Sequence, residues 1–89
     1  MNYTVTYTED SYKKLKKLDK YTQTFILSWI SKNLVGCSDP RQHGKPLSGN
    51  RVGQWRYRIG EYRLLAEIDD DKIIILNITV GHRRDIYDK

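Results

Sequence analysis

Tyr3, Val5 and Tyr7 alternate with Asn2, Thr4 and Thr6, and this period of two predicts a half-buried strand. After Thr8 the period lengthens. Tyr12, Leu15 and Leu18 recur at helical spacing, with Lys13, Lys14, Lys16, Lys17 and Lys20 on the outer face. Thr8 or Asp10 suits the N-cap, and Glu9 and Asp10 favour the positive end of the helix. A second helix is predicted from Asp19 or Lys20 to Val35. Its apolar stripe is Tyr21, Phe25, Ile26, Trp29, Ile30 and Leu34. Gly36 suits the C′ position, and Pro40 prevents continuation. The helices are nearly contiguous, which implies an αα-hairpin.

Residues 36–50 contain three glycines and two prolines among polar residues and read as an ordered loop. From Gln54 the period returns to two. Trp55, Tyr57 and Ile59 alternate with Arg56 and Arg58; after Gly60-Glu61, Tyr62, Leu64, Ala66 and Ile68 alternate with Arg63, Leu65 and Glu67. Glycine at the first central position suits a type II′ hairpin turn. Asp69 to Lys72 reads as a second turn. The last strand starts at Lys72 or Ile73 and ends at Val80, before Gly81 and a polar tail. The order is β-α-α-β-β-β. It predicts an α+β fold, with two N-terminal helices packed on one face of a mainly antiparallel sheet.

Composition narrows the chemistry. The 89 residues suit a single domain over 1–89. No apolar run approaches the ~20 residues of a membrane helix. The first residues lack a basic and apolar leader, so the expected location is cytoplasmic. Cys37 is the single cysteine, and His43 and His82 lie far apart. Zinc sites built on cysteine are excluded, and no metal or cofactor is expected. Cys37 reads as a small apolar residue at a helix end. Net charge is +5, and residues 41–63 alone carry six basic side chains against one acidic. Five of those six are arginines, which suit bidentate contacts to phosphate. A polyanion partner is the functional reading. The plain alternative is a solvated basic face.

The hairpin register sharpens this. A Gly60-Glu61 loop sets Arg58 directly across from Arg63, with Arg56 two residues along on the same face. Like charges opposed on a sheet are destabilising, and an anionic ligand would relieve the repulsion. Neutralisation by Glu61, Glu67 or the acidic turn is the alternative. A two-residue turn before the last strand would put Ile74, Leu76, Ile78 and Val80 on the arginine face. A three-residue turn, Asp70-Asp71-Lys72, reverses that parity. The second is preferred because it sorts Asn77, Thr79 and Gly81 with the arginines. It leaves Ile73 and Ile75 on the open face and carries Arg83 toward the arginine site.

Arg56, Arg58, Arg63 and Arg83 then form a site that His82 and Tyr87 border in sequence. Fixed guanidinium groups stabilise charge that builds on phosphate oxygens when a 2′-OH attacks the adjacent phosphate. A base must take the 2′ proton and an acid must protonate the leaving 5′ oxygen. His82 and Tyr87 are candidates for part of this. A surface histidine and a packed tail tyrosine are their ordinary alternatives.

These residues resemble the RelE/ParE-like toxins of bacterial toxin–antitoxin pairs. The resemblance rests on residues 45–49, on the run from Trp55 to Leu64, and on Val80-Gly81-His82-Arg83-Arg84-Asp85-Ile86-Tyr87. With the strand and two helices before them, it spans essentially the whole chain. It implies a toxin of the RelE-like branch, a ribosome-dependent, metal-independent endoribonuclease that cuts mRNA. By that resemblance Arg56 and Arg58 match the two basic sheet positions, Arg63 the arginine after tyrosine, Arg83 the arginine after glycine, and Tyr87 the tail tyrosine. A C-terminal histidine in other members raises His82. Lys45, Arg51 and Arg84 are expected to contact RNA. Expected partners are a cognate antitoxin, the ribosome and mRNA, and operator DNA only for the toxin–antitoxin complex; no membrane is expected. The alternatives are a ParE-like inhibitor of DNA gyrase and a non-catalytic binding module.

Overall fold

In the computed structural model, which describes residues 2–47 and 53–81, the first alternating segment becomes strand β1 (Thr4–Tyr7). Helices α1 (Glu9–Lys16) and α2 (Lys20–Asn33) follow, then one 3₁₀ turn at Pro40–Gln42. Strands β2 (Lys45–Pro46), β3 (Gln54–Ile59), β4 (Tyr62–Asp69) and β5 (Lys72–Val80) complete the order. They form one sheet, β1-β5-β4-β3-β2. β1 runs parallel to β5, and every other pair is antiparallel. The fold is α+β as expected, with five strands among the described residues in place of four. The extra strand is β2, two residues long and embedded in what reads as loop.

Local chemistry explains the boundaries. Thr8, not Asp10, caps α1: it is extended, and its hydroxyl accepts from Ser11 N at 3.2 Å. Asp19 caps α2 by accepting from Thr22 N and from the Thr22 hydroxyl. Those bonds hold the Asp19 carboxyl below its usual range. α2 ends two residues before the predicted Val35, and Gly36 turns the chain at φ +75°.

The helices supply Leu15, Ile26, Ile30 and Leu34 to a core completed by Tyr57, Ile59, Leu64, Ala66, Ile73, Ile75 and Ile78. The buried stripe of α2 is narrower than predicted. Tyr21 is 79% exposed, Phe25 44%, and Tyr12 of α1 51%. The fully buried line is Ile26, Ile30 and Leu34, spaced four apart, and Tyr21 and Phe25 fall to one side of it. Phe25 instead lies against the β3–β4 turn, where a Cβ on Gly60 would meet its ring at 3.0 Å. Gly60 has φ +60°, and Glu61 is not in the positive region, matching the φ signs of the type II′ turn.

The turn into β5 departs from expectation. Asp69 pairs with Lys72, so the loop is the two residues Asp70-Asp71. Asp70 takes φ 51°, a region that aspartate tolerates better than most residues. Ile68 then faces Ile73, and Ala66 faces Ile75. Between Leu65 and Ala66 the register shifts, because Leu65 faces Asn77. Leu76 is therefore an extra residue, a bulge that reverses the alternation midway along the strand. Ile73, Ile75 and Ile78 are buried, whereas Ile74 and Leu76 are only half-buried. The expectation that Ile73 and Ile75 lie on the open face is thus corrected. The expectation that Asn77 and Thr79 share the arginine face holds, through the bulge and not through a longer turn.

The bulge is served by α1. β1 pairs only as far as Tyr7 with Ile75. There Thr8 N donates to Ile75 O at 3.0 Å, and the Thr8 hydroxyl lies 3.2 and 3.3 Å from the Ile75 and Leu76 carbonyl oxygens. Ser11, fully buried, donates to Ile75 O at 2.7 Å. One helical turn on, Lys14 Nζ donates to Asn77 Oδ1 at 2.6 Å. Thr8, Ser11 and Lys14 thus lie three apart on one side of α1 and meet Ile75, Leu76 and Asn77.

The loop after α2 closes over β3. Tyr57 donates its hydroxyl to Pro40 O at 2.7 Å, and Trp55 Nε1 donates to His43 O at 2.6 Å. Trp29 packs against both His43 and Tyr57. Gly44, at φ +76°, leaves no room for a side chain: a Cβ there would collide with the Arg56 carbonyl oxygen and the Tyr57 ring. Burial pushes the Tyr57 phenol well above its ordinary value of 10.0.

Ser11→Ala is expected to cost about 0.5–1.5 kcal/mol in urea unfolding, because Ile75 O loses the Ser11 hydroxyl and keeps Thr8 N as donor. Tyr57→Phe is expected to cost a similar amount at neutral pH. The raised Tyr57 value means that the unfolded chain releases the phenol proton first. Its stabilising contribution is therefore whole below about pH 10 and falls as pH rises beyond that. The difference between wild type and Tyr57→Phe in alkaline melts should shrink accordingly.

Candidate nucleic-acid interface

The face opposite the helices is built from alternate residues of β2 to β5. Arg58 pairs with Arg63 and Arg63 with Thr79. In the adjacent row Lys45 pairs with Arg56, Arg56 with Leu65, and Leu65 with Asn77. Directly paired residues share a sheet face, so the two rows place Lys45, Arg56, Arg58 and Arg63 on one surface. Lys45, Arg56 and Arg58 are exposed, and Arg63 is half-buried. The rows contain two like-charge pairs in register, Arg58–Arg63 and Lys45–Arg56. The first was expected from the hairpin; the second follows from β2. Arg56, Arg63, Leu64, Leu65, Asn77 and Thr79 line a depression of about 220 Å³.

Arg63 has a specific neighbour. A Cβ at position 81 would stand 2.6 Å from Arg63 Nε and 2.9 Å from its Cζ. The guanidinium therefore lies along the bare backbone of Gly81, whose N–H donates to Glu61 O at 2.7 Å. Glu67, one of the proposed neutralising residues, stands opposite Gln54 and Ile74, on the arginine face one row beyond Arg56. Among the described residues no carboxylate forms an ion pair with the four cations.

Arg51, His82, Arg83, Arg84 and Tyr87 lie outside the described residues. The structure thus brings together Lys45, Arg56, Arg58 and Arg63 of the predicted set. It also adds Lys14, which sequence reasoning missed. Five lysines between residues 13 and 20 read alike in the sequence, three of them within α1, and only the docking of that helix on β5 distinguishes Lys14. Cys37 packs half-buried against the core, and burial pushes its thiol up, away from the nucleophilic form. Among the described residues there is no group of three or more His, Cys, Asp or Glu able to hold a metal ion. No described helix is long and apolar enough to cross a membrane.

The model of the ParE toxin of type II toxin–antitoxin systems matches residues 5–87. This chain belongs to that family. It is also 34% identical over 87 residues to toxin RelG of Mycobacterium tuberculosis, covering 98% of both chains. The crystal structure of the RelBE2 toxin–antitoxin complex from the same organism superposes with a TM-score of 0.79 at 30% identity, covering 90% of this chain and 92% of the other. The isolated E. coli RelE toxin gives a TM-score of 0.74 at 17% identity, covering 96% of this chain and 90% of that one. The latter likeness is one of fold. The chain is thus a type II toxin of the RelE/ParE superfamily, and its basic face is set on that fold.

If the like-charge pairs are uncompensated, removing one member relieves repulsion. Arg58→Thr, which keeps a good strand former, is expected to raise stability by about 0.2–1 kcal/mol at low ionic strength. In molar salt, where the screening length falls to about 3 Å, the gain should vanish. A melting temperature that drops at both salt concentrations would show a structural arginine.

Proposed function

We propose that this toxin is a ribosome-dependent endoribonuclease acting on mRNA. The supporting observation is the set of four cations on one open face, with Arg58 against Arg63 and no described carboxylate between them. Such a surface fits a substrate that brings its own negative charge. In the reaction the 2′ oxygen bonds to the adjacent phosphorus and the bond from phosphorus to the 5′ oxygen breaks. The products are a 2′,3′-cyclic phosphate and a 5′-hydroxyl. Arg56, Arg58 and Arg63 stabilise the charge that grows on the non-bridging oxygens, at fixed positions and without reorganisation. By family resemblance Arg83 joins them, and His82 and Tyr87 share the transfer of the 2′ proton and the delivery of a proton to the 5′ oxygen. Lys45, Arg51 and Arg84 hold the flanking RNA.

The likeness to a toxin solved in complex with its antitoxin supports a cognate antitoxin as partner. In this reading the antitoxin shields the basic face, and operator DNA is bound only by the pair. The site of action is the ribosome in the cytoplasm. The family model's description as a ParE toxin favours a second reading, inhibition of DNA gyrase.

Primer extension on ribosome-bound mRNA tests the first reading. Wild type should produce cuts, and Arg63→Ala, Arg58→Ala and Arg56→Ala should each reduce the rate about a hundredfold or more, the scale of losing one stabilising contact to a developing charge, while remaining folded. His82→Ala and Tyr87→Phe assign the proton-transfer roles. Intact mRNA beside active ribosomes, together with blocked supercoiling by gyrase, would favour the second reading and overturn the first.

A further inference from the structure

We infer that Lys14 and Asn77 form a second phosphate-binding position at the β5 side of the groove, so that the surface recognises linked phosphates of a single RNA strand. This rests on the reading of the basic face as an RNA surface. Asn77 lines the same depression as Arg56 and Arg63. Its Oδ1 accepts from Ile78 N at 2.9 Å and from Lys14 Nζ at 2.6 Å. A backbone N–H and an ammonium can only donate, so these two partners fix which end of the carboxamide is oxygen. Both acceptor positions of that oxygen are then filled. The amide nitrogen points the other way, with two N–H donors, and the ammonium keeps two of its three. The pair therefore offers donors and a positive charge but no acceptor, a combination suited to an anionic oxygen.

Position argues for a separate phosphate. In the row Lys45–Arg56–Leu65–Asn77, the β4 member is Leu65, which contributes no side-chain donor. The arginine end and the Asn77 end are two strands apart, about 9–10 Å at ordinary sheet spacing. Two linked phosphates of one strand match that backbone span, and the strand would cross β3, β4 and β5 along the row. The bulge makes this possible. Without the extra Leu76, Asn77 would fall on the core face and Lys14 would have no partner there.

The test compares uridine monophosphate with a single-stranded oligouridylate, titrated into the isolated toxin at fixed ionic strength. Asn77→Asp keeps the oxygen that serves Ile78 N and Lys14 but replaces the donors with an anion. Lys14→Met keeps the stem and removes the charge. Both should weaken the oligouridylate about tenfold or more, the effect of a charge-assisted hydrogen bond, and Lys14→Met should leave the monophosphate unchanged. Lys14→Met should also lower the salt dependence of oligouridylate binding by about 0.7 in log–log slope. Arg63→Ala should weaken both probes. Thermal melts confirm that each variant is folded. Oligouridylate affinities equal to wild type in both variants would overturn the inference, as would equal losses for the two probes in Lys14→Met. If Arg63→Ala changes neither probe, the RNA reading of the whole face fails, and this inference with it.

Discussion

The junction of α1 with the bulge in β5 governs the architecture. A strand that gains one residue strands its neighbouring carbonyl groups and reverses its side-chain alternation. Here the carbonyls of Ile75 and Leu76 find Thr8 and Ser11, and the displaced Asn77 finds Lys14. The parallel strand β1 stops at Ile75, which opens the β5 edge for the helix to approach. A buried carbonyl without a donor costs a few kcal/mol, so the bulge and the first turns of α1 depend on each other.

The reversal also divides labour along β5. Its first half sends Ile73 and Ile75 into the core under the helices. Its second half sends Ile78 inward and presents Asn77 and Thr79 beside Arg63. One strand therefore serves both as the centre of the hydrophobic layer and as the polar margin of the groove. The groove is defined by what the helices leave uncovered. Arg58 and Arg63 face each other across β3 and β4, and Arg63 lies along Gly81. Charges held apart by a rigid sheet cannot retreat from one another, which makes them responsive to an anionic ligand.

Much of this was legible in the chain. The Gly60-Glu61 turn fixes the β3–β4 register through its length alone, so the Arg58–Arg63 opposition followed from sequence. Thr8, one of two candidate caps, and Gly36 beyond α2 are local chemistry and were equally visible, whereas Asp19 read as a possible first residue of α2 and is its cap. The β4–β5 turn was not. Three successive aspartates permit either loop length, and the isoleucine run from Ile73 to Ile75 offers no alternation to choose between them. The core stripe of α2 was read too wide because Tyr21 and Phe25 are apolar enough to qualify, and only the placement of the sheet excludes them.

Sequence alone determined the fold class, the basic centre of the chain and the paired arginines, because each depends on neighbours within one hairpin or one helical turn. Tertiary structure decided the rest: the bulge at Leu76, the second like-charge pair through β2, and the choice of Lys14 among five similar lysines. Each of these joins residues far apart in the chain, and the deciding quantity is the satisfaction of buried backbone groups, which no local pattern records.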